Sequence, residues 1–114
     1  MSPRSSRAAA LRSSAPVFAA LGDATRLYVV SRLSDGGPMS ITELTDGSDV
    51  TRQAVTKHLN VLADAGLVRD SWQGRERVWE LKTRQLEEAR RVLDAISSKW
   101  DEALERLRAM IEEP

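Results

Sequence analysis

The 114-residue sequence contains no cysteine. That absence excludes disulfides, thiolate metal sites, thiol nucleophiles and cysteine-based redox switching. Histidine is almost missing too, with His58 the one copy. A single imidazole cannot build an ordinary zinc site, which leaves open only one shared between subunits and completed by carboxylates. No apolar run approaches the ~20 residues needed to cross a bilayer. The N-terminal region holds no apolar stretch either, so no membrane partner and no secretion are expected, and the cytoplasm is the expected compartment. Also absent are a nucleophile, base and orienter set, a phosphate-binding loop, and paired carboxylates in an evident pocket. Neither an enzyme, a cofactor nor a bound metal is expected.

Net charge is zero, with 41% hydrophobic and 30% charged residues, which is ordinary for one globular domain. The distribution says more than the total. Residues 1–14 hold Arg4, Arg7 and Arg12 and no acid; residues 15–50 hold two bases and five acids. Residues 51–82 hold six bases and four acids, and residues 83–114 hold six bases and eight acids. The two positive blocks are the N-terminal tail and the central segment.

Residues 1–14, rich in Ser, Ala and Arg, lack a sustained apolar stripe and are expected to be a disordered basic tail. They serve either as an arm touching phosphates or as an inert extension. The domain proper is expected over 15–114. Pro16 suits the first turn of a helix reaching Leu21, with Val17, Phe18 and Leu21 on its apolar side. Asp23 can cap a second helix carrying Leu27, Val30 and Leu33. Ser40-Ile41-Thr42-Glu43 has the form of a capping box and opens a short helix. After the turn Asp46-Gly47-Ser48-Asp49, Thr51 can cap a longer helix that ends at Gly66. The pattern then changes to a hairpin, with strands beginning at Leu67-Val68 and at Arg77, and a turn at Gln73-Gly74.

Residues 83–111 read as one long helix, roughly 40 Å in length. Leu86, Ala89, Leu93, Ile96, Trp100, Ala103, Leu107 and Met110 recur at spacings of three and four, a heptad seam. A domain this small cannot cover the whole stripe. A second copy of the chain should do so through a two-fold dimer. The predicted fold is therefore mainly α with a small β-hairpin wing: a winged helix-turn-helix, dimeric through its terminal helices.

On the helix opened by Thr51, Val55, Leu59 and Leu62 share one face at 100° per residue. Gln53, Lys57 and Asn60 fall on the other, with Thr56 beside them and Arg52 near the start. Gln and Asn suit adenine, Lys suits guanine, and Thr suits a phosphate or a thymine methyl. The first three turns carry Arg52, Lys57 and His58 and no acid before Asp64. His58, on the flank of the buried face, suits a structural hydrogen bond or a phosphate contact better than a metal. In the hairpin, Arg69, Arg75 and Arg77 suit backbone or minor-groove contact, diluted by Asp70 and Glu76. Trp72 and Trp79 offer stacking surfaces, with Trp79 beside Val78 suited to packing.

At these residues the chain resembles the ArsR family of winged-helix repressors, over about residues 15–111. Leu21-Gly22-Asp23-Ala24-Thr25-Arg26 is similar to the family's helix-opening signature, with Ala24 where proline is frequent. Ile41-Thr42-Glu43-Leu44 resembles its first motif helix, and Thr51 through Leu59 its recognition helix. Leu62 through Val68 resembles the exit into the wing. Family metal sensors carry Cys-x-Cys in the first motif helix, where Thr45 and Gly47 stand here. A second family site on the last helix uses His and carboxylates, and this chain has no His there. Ser48-Asp49 replace a frequent Leu-Gly. Gly74 through Arg77 and Trp100 through Leu107 resemble a metal-free subgroup, often encoded beside lipid-binding START-like proteins.

The resemblance implies repression of a nearby operon by a homodimer on double-stranded DNA. Its DNA contacts would come from Thr51, Arg52, Gln53, Thr56, Lys57, His58, Asn60, Arg75 and Arg77. Its dimer interface, through the first and last helices, would include Val17, Phe18, Leu86, Leu93, Ile96, Trp100, Leu107 and Met110. No inducer is identified. The competing reading is a winged-helix module that binds protein, favoured by the neutral total and the acidic last helix.

Overall fold

In a computed structural model, which describes residues 3–112, five helices and three strands follow in the order α1 (Pro3–Leu21), α2 (Ala24–Gly36), β1 (Met39–Ser40), α3 (Ile41–Thr45), α4 (Arg52–Asp64), β2 (Val68–Gln73), β3 (Glu76–Leu81) and α5 (Thr83–Glu112). Met1 and Ser2 of the expected tail, and Glu113 and Pro114 of the expected domain, lie outside the described residues. The architecture is a winged helix-turn-helix, mainly α with a small antiparallel sheet.

The helix starts form where short polar side chains can reach back to orphan amides. Asp23 Oδ2 accepts from the Arg26 backbone N–H at 3.0 Å and starts α2. The capping box at α3 is complete: Ser40 Oγ accepts from the Glu43 N–H and Glu43 Oε1 from the Ser40 N–H, each at 3.2 Å. Thr51 Oγ1 accepts from the Ala54 N–H at 3.1 Å and starts α4. Gly66 takes φ +78° just past α4, and a Cβ there would stand 3.0 Å from Gln85 Cγ. Both the backbone and the close approach of α5 therefore call for glycine.

The sheet order is β1-β3-β2. In the hairpin Gln73 pairs with Glu76, so the loop is Gly74-Arg75, one residue later than the sequence pattern placed it. Gly74 has φ +65° and Arg75 does not adopt a positive φ, as a turn with glycine leading requires. Strand β1 was not expected from sequence. Met39 opposes Trp79 and Ser40 opposes Val78, a pairing two residues long and thus too short to show an alternating pattern.

One core joins Val17 and Ala20 of α1, Val29 and Leu33 of α2, Leu44 of α3, Val55, Leu59 and Leu62 of α4, Leu67, Val68, Trp79 and Ala89. On α2 the buried stripe is Val29 and Leu33 with Val30 partly covered, while Leu27, expected inside, is exposed. The buried stripe follows the i, i+4 row of Val29 and Leu33, and Leu27 lies about 160° around the helix from Val29.

The N-terminal segment differs most from expectation. Residues 3–14, anticipated as disordered, continue α1, and Pro16 lies inside the helix rather than in its first turn. Ala8-Ala9-Ala10-Leu11 are strong helix formers, and α1 packs along α5. Ser14 is buried, and Ser13 Oγ donates to Glu88 Oε1 at 2.7 Å. Ala10 and Leu11 face Val92, Ala95 and Ile96 across a groove between the two helices. Long-range packing thus extends a helix through a proline that local rules place at its beginning.

Candidate nucleic-acid interface

Helix α4 turns Val55, Leu59 and Leu62 inward and leaves Arg52, Gln53, Lys57, Asn60 and Asp64 exposed. The apolar face anchors the helix, so the polar face is held outward by the core beneath it. Thr51 is exposed, but its hydroxyl oxygen is committed to the cap. Thr56 is half-buried, and its hydroxyl donates to the Arg52 carbonyl at 2.9 Å. Its methyl group remains for an apolar contact. Arg52 donates to Thr42 Oγ1 at 3.0 Å, tying the start of α4 to α3.

His58 is placed differently from the other polar residues of α4. Its ring is half-buried against α2, with Nδ1 3.3 Å from the Arg26 guanidinium and 3.8 Å from Asp23 Oδ2. Arg26 also donates to the Ala20 carbonyl at the end of α1. The Asp23 carboxyl is held below its usual range chiefly by the hydrogen bond from the Arg26 N–H. Partial burial opposes that shift, while the Arg26 and His58 charges add to it. This joint of α1, α2 and α4 was not anticipated as a unit, because its members are far apart in sequence. His58 thus lies on the flank of the buried face, where its place in sequence put it, and its ring meets Arg26 and Asp23. It lies 100° past Lys57, already on the inward side of the helix.

The wing's three arginines divide. Arg69 pairs with Glu80 at 2.7 Å. Arg77 pairs with Asp70 at 2.6 Å and lies over the Trp79 ring at 4.6 Å. Arg75, in the turn, has no partner among the described residues. Arg77, expected to face DNA, is thus held on the wing's own surface by the cross-strand register that aligns it with Trp72 and brings it near Asp70 and Trp79.

The expected interface residues divide in the same way. Leu93, Ile96, Trp100, Leu107 and Met110 are exposed. Val17 is wholly enclosed in the core, which removes it from any interface. Phe18 and Leu86 are partly buried against that same core. Residues near the start of the heptad seam are consumed within the protomer, because α5 crosses α1 and Gly66 there. Among the described residues no group of three His, Asp or Glu side chains converges as a metal site would require, and no helix is long and apolar enough to cross a membrane.

A capped short helix, a turn, an outward polar helix and an adjoining hairpin define a winged helix-turn-helix DNA-binding protein. A helix-turn-helix domain model matches residues 21–70. The HTH-type transcriptional regulator Rv2034 of Mycobacterium tuberculosis is 40% identical over 93 residues, which span 82% of this chain and 83% of that protein. An ArsR-like transcriptional regulator from Rhodococcus sp. RHA1 superposes with a TM-score of 0.73 at 34% identity, covering 91% of this chain and 97% of the other. The arsenical resistance operon repressor of Escherichia coli is 34% identical over 59 residues, 52% of this chain and 50% of that protein. The chain belongs to the ArsR family of winged helix-turn-helix transcriptional regulators. It has none of that family's cysteine ligands.

Proposed function

We propose that this DNA-binding regulator is a non-enzymatic, cytoplasmic repressor that binds a pseudo-palindromic operator as a homodimer. The observation that carries the reading is the outward placement of Gln53, Lys57 and Asn60 on a helix whose opposite face is sealed in the core. These side chains have the donors and acceptors needed to read base edges in the major groove. Arg52 and Arg75 flank them as phosphate contacts, and Thr56 offers a methyl to thymine. The name of the Escherichia coli relative supports repression as the regulatory sense.

Dimerisation is supported by the shape of the protomer. Its radius of gyration is 18.8 Å, against about 13 Å for a compact chain of this size. Helix α5 adds to this extension, and its large apolar side chains from Leu93 onward are 47–76% exposed in the single chain. A two-fold axis through that helix presents two recognition helices to successive major grooves about 34 Å apart.

The test is a mobility shift on the DNA upstream of the chain's own gene, over a salt series. Affinity should fall steeply with salt as phosphate-bound cations are displaced. Gln53→Ala and Lys57→Ala should each lose about 1–3 kcal/mol of discrimination between operator and random DNA, with the dimer intact by light scattering. Variants that dimerise and still discriminate normally sink the assignment of α4. A reporter fused to the same promoter should become more active when the gene is deleted.

A further inference from the structure

Trp72 stands at the end of a row that is otherwise structural. On the hairpin, side chains two residues apart share a face. Val68, Asp70 and Trp72 of β2 oppose Leu81, Trp79 and Arg77 of β3, so these six lie on one side. The root of that side, Val68 and Trp79, is buried in the core. Trp72 continues the row about 13 Å beyond Val68 and about 7 Å beyond the Asp70–Trp79 pair. There the indole is 67% exposed, while Trp79 on the same face is 1% exposed.

The polar neighbours sharpen the contrast. Arg77, directly across from Trp72, is held by Asp70 and by the Trp79 ring. Arg69 on the other face is held by Glu80. The outer wing therefore offers a partner one large aromatic plane and, at the turn, the exposed Arg75, which has no partner among the described residues, with the exposed Glu76 beside it.

We propose that Trp72 is a DNA-contacting residue whose indole packs on the deoxyribose wall of the minor groove beside the operator half-site, while Arg75 meets the adjacent phosphates or the groove floor. Arg77 is a positioning residue that holds the strand beneath the indole. The inference rests on the reading of α4 as the recognition helix, since only then does the wing lie along the flanking groove. Continuity with the recognition helix selects the occupant: an exposed aromatic with Arg75 at the adjoining turn suits a sugar–phosphate strand, which supplies apolar ring faces and negative charge together, while Glu76 keeps the net charge of the turn near zero.

The two contacts differ in their response to salt, which makes them separable. An indole on a sugar releases no counterions, whereas each phosphate-bound cation adds about one to the slope of log affinity against log salt. The experiment titrates the full-length chain with its own upstream DNA at four salt concentrations. It compares Trp72→Ala, Trp72→Phe, Arg75→Ala and Lys57→Ala, with thermal melts and light scattering on each. Trp72→Ala should weaken binding on the order of tenfold at every salt with an unchanged slope. Trp72→Phe should keep most of the affinity, and Arg75→Ala should lower the slope by about one.

Wild-type affinity in Trp72→Ala, with Lys57→Ala impaired, overturns the indole contact and leaves the recognition helix standing. A loss in Trp72→Ala that comes with a reduced slope, a lower melting temperature or a dissociated dimer overturns it too, because the indole then acts through the wing's arginines, the fold or a protein contact. Wild-type binding by both Lys57→Ala and Trp72→Ala instead removes the reading on which the inference depends.

Discussion

Helices α4 and α5 carry apolar stripes of similar regularity, yet the fold treats them in opposite ways. In α4, Val55, Leu59 and Leu62 are all buried, and the polar residues between them face outward. In α5 only Ala89 is buried, and from Leu93 onward the large side chains lie open, Trp100 at 65% and Met110 at 76% exposure. An amphipathic pattern announces that a stripe will be covered, but not by what. The α4 stripe is short enough to sit on the core of its own protomer. The α5 stripe outruns that core, and the surplus is what the proposed dimer buries.

The comparison can be broken from either side. Leu59→Ala removes a fully enclosed side chain and should cost about 2–5 kcal/mol in urea unfolding. A cost under 1 kcal/mol there contradicts the view of α4 as an anchored helix. Trp100→Asp should leave helix content intact and raise the dimer dissociation constant at least about a hundredfold, worth roughly 2.7 kcal/mol, by light scattering across a dilution series. An unchanged dimer moves the interface off α5. Thr51→Ala removes the cap that starts α4 and should cost about 1 kcal/mol, visible as a lower melting temperature.

The smallest effect is the most specific. The Asp23 carboxyl is depressed in the folded chain by its cap to the Arg26 N–H. Its contribution is therefore present above its ordinary pKa of 3.8 and is lost as pH falls through the lower folded value. The gap in urea midpoint between the parent chain and Asp23→Ala should be full at pH 7 and narrow in strong acid. A gap that is constant with pH assigns the effect to side-chain packing instead of the charged cap.

Much of the interface was legible beforehand because its determinants are local. A cap acts over three residues and a helix face repeats every three or four, so Ser40, Thr51 and the division of α4 into inward and outward sides followed from spacing alone. The resemblance to the ArsR family rested on the same contiguous motifs. What escaped was long-range. Strand β1 exists because Met39 meets Trp79, forty residues on. Residues 3–14 are helical because α5 lies alongside them, and Arg77 is occupied because the register brings Asp70 and Trp79 to it. His58 turns to Asp23 and Arg26, thirty-five and thirty-two residues earlier.

Taken by itself, the order of residues determined where α2, α3 and α4 begin, which α4 side chains look outward, and that a long stripe on the last helix would need cover. Those properties depend on neighbours within one or two turns, which the chain carries wherever it goes. Only the tertiary structure decided that Val17 would be enclosed, that two of the wing's three arginines would be occupied, and that Trp72 would be left exposed. Each of these depends on which distant side chain arrives opposite, and that is set by how the helices and the hairpin pack on one core.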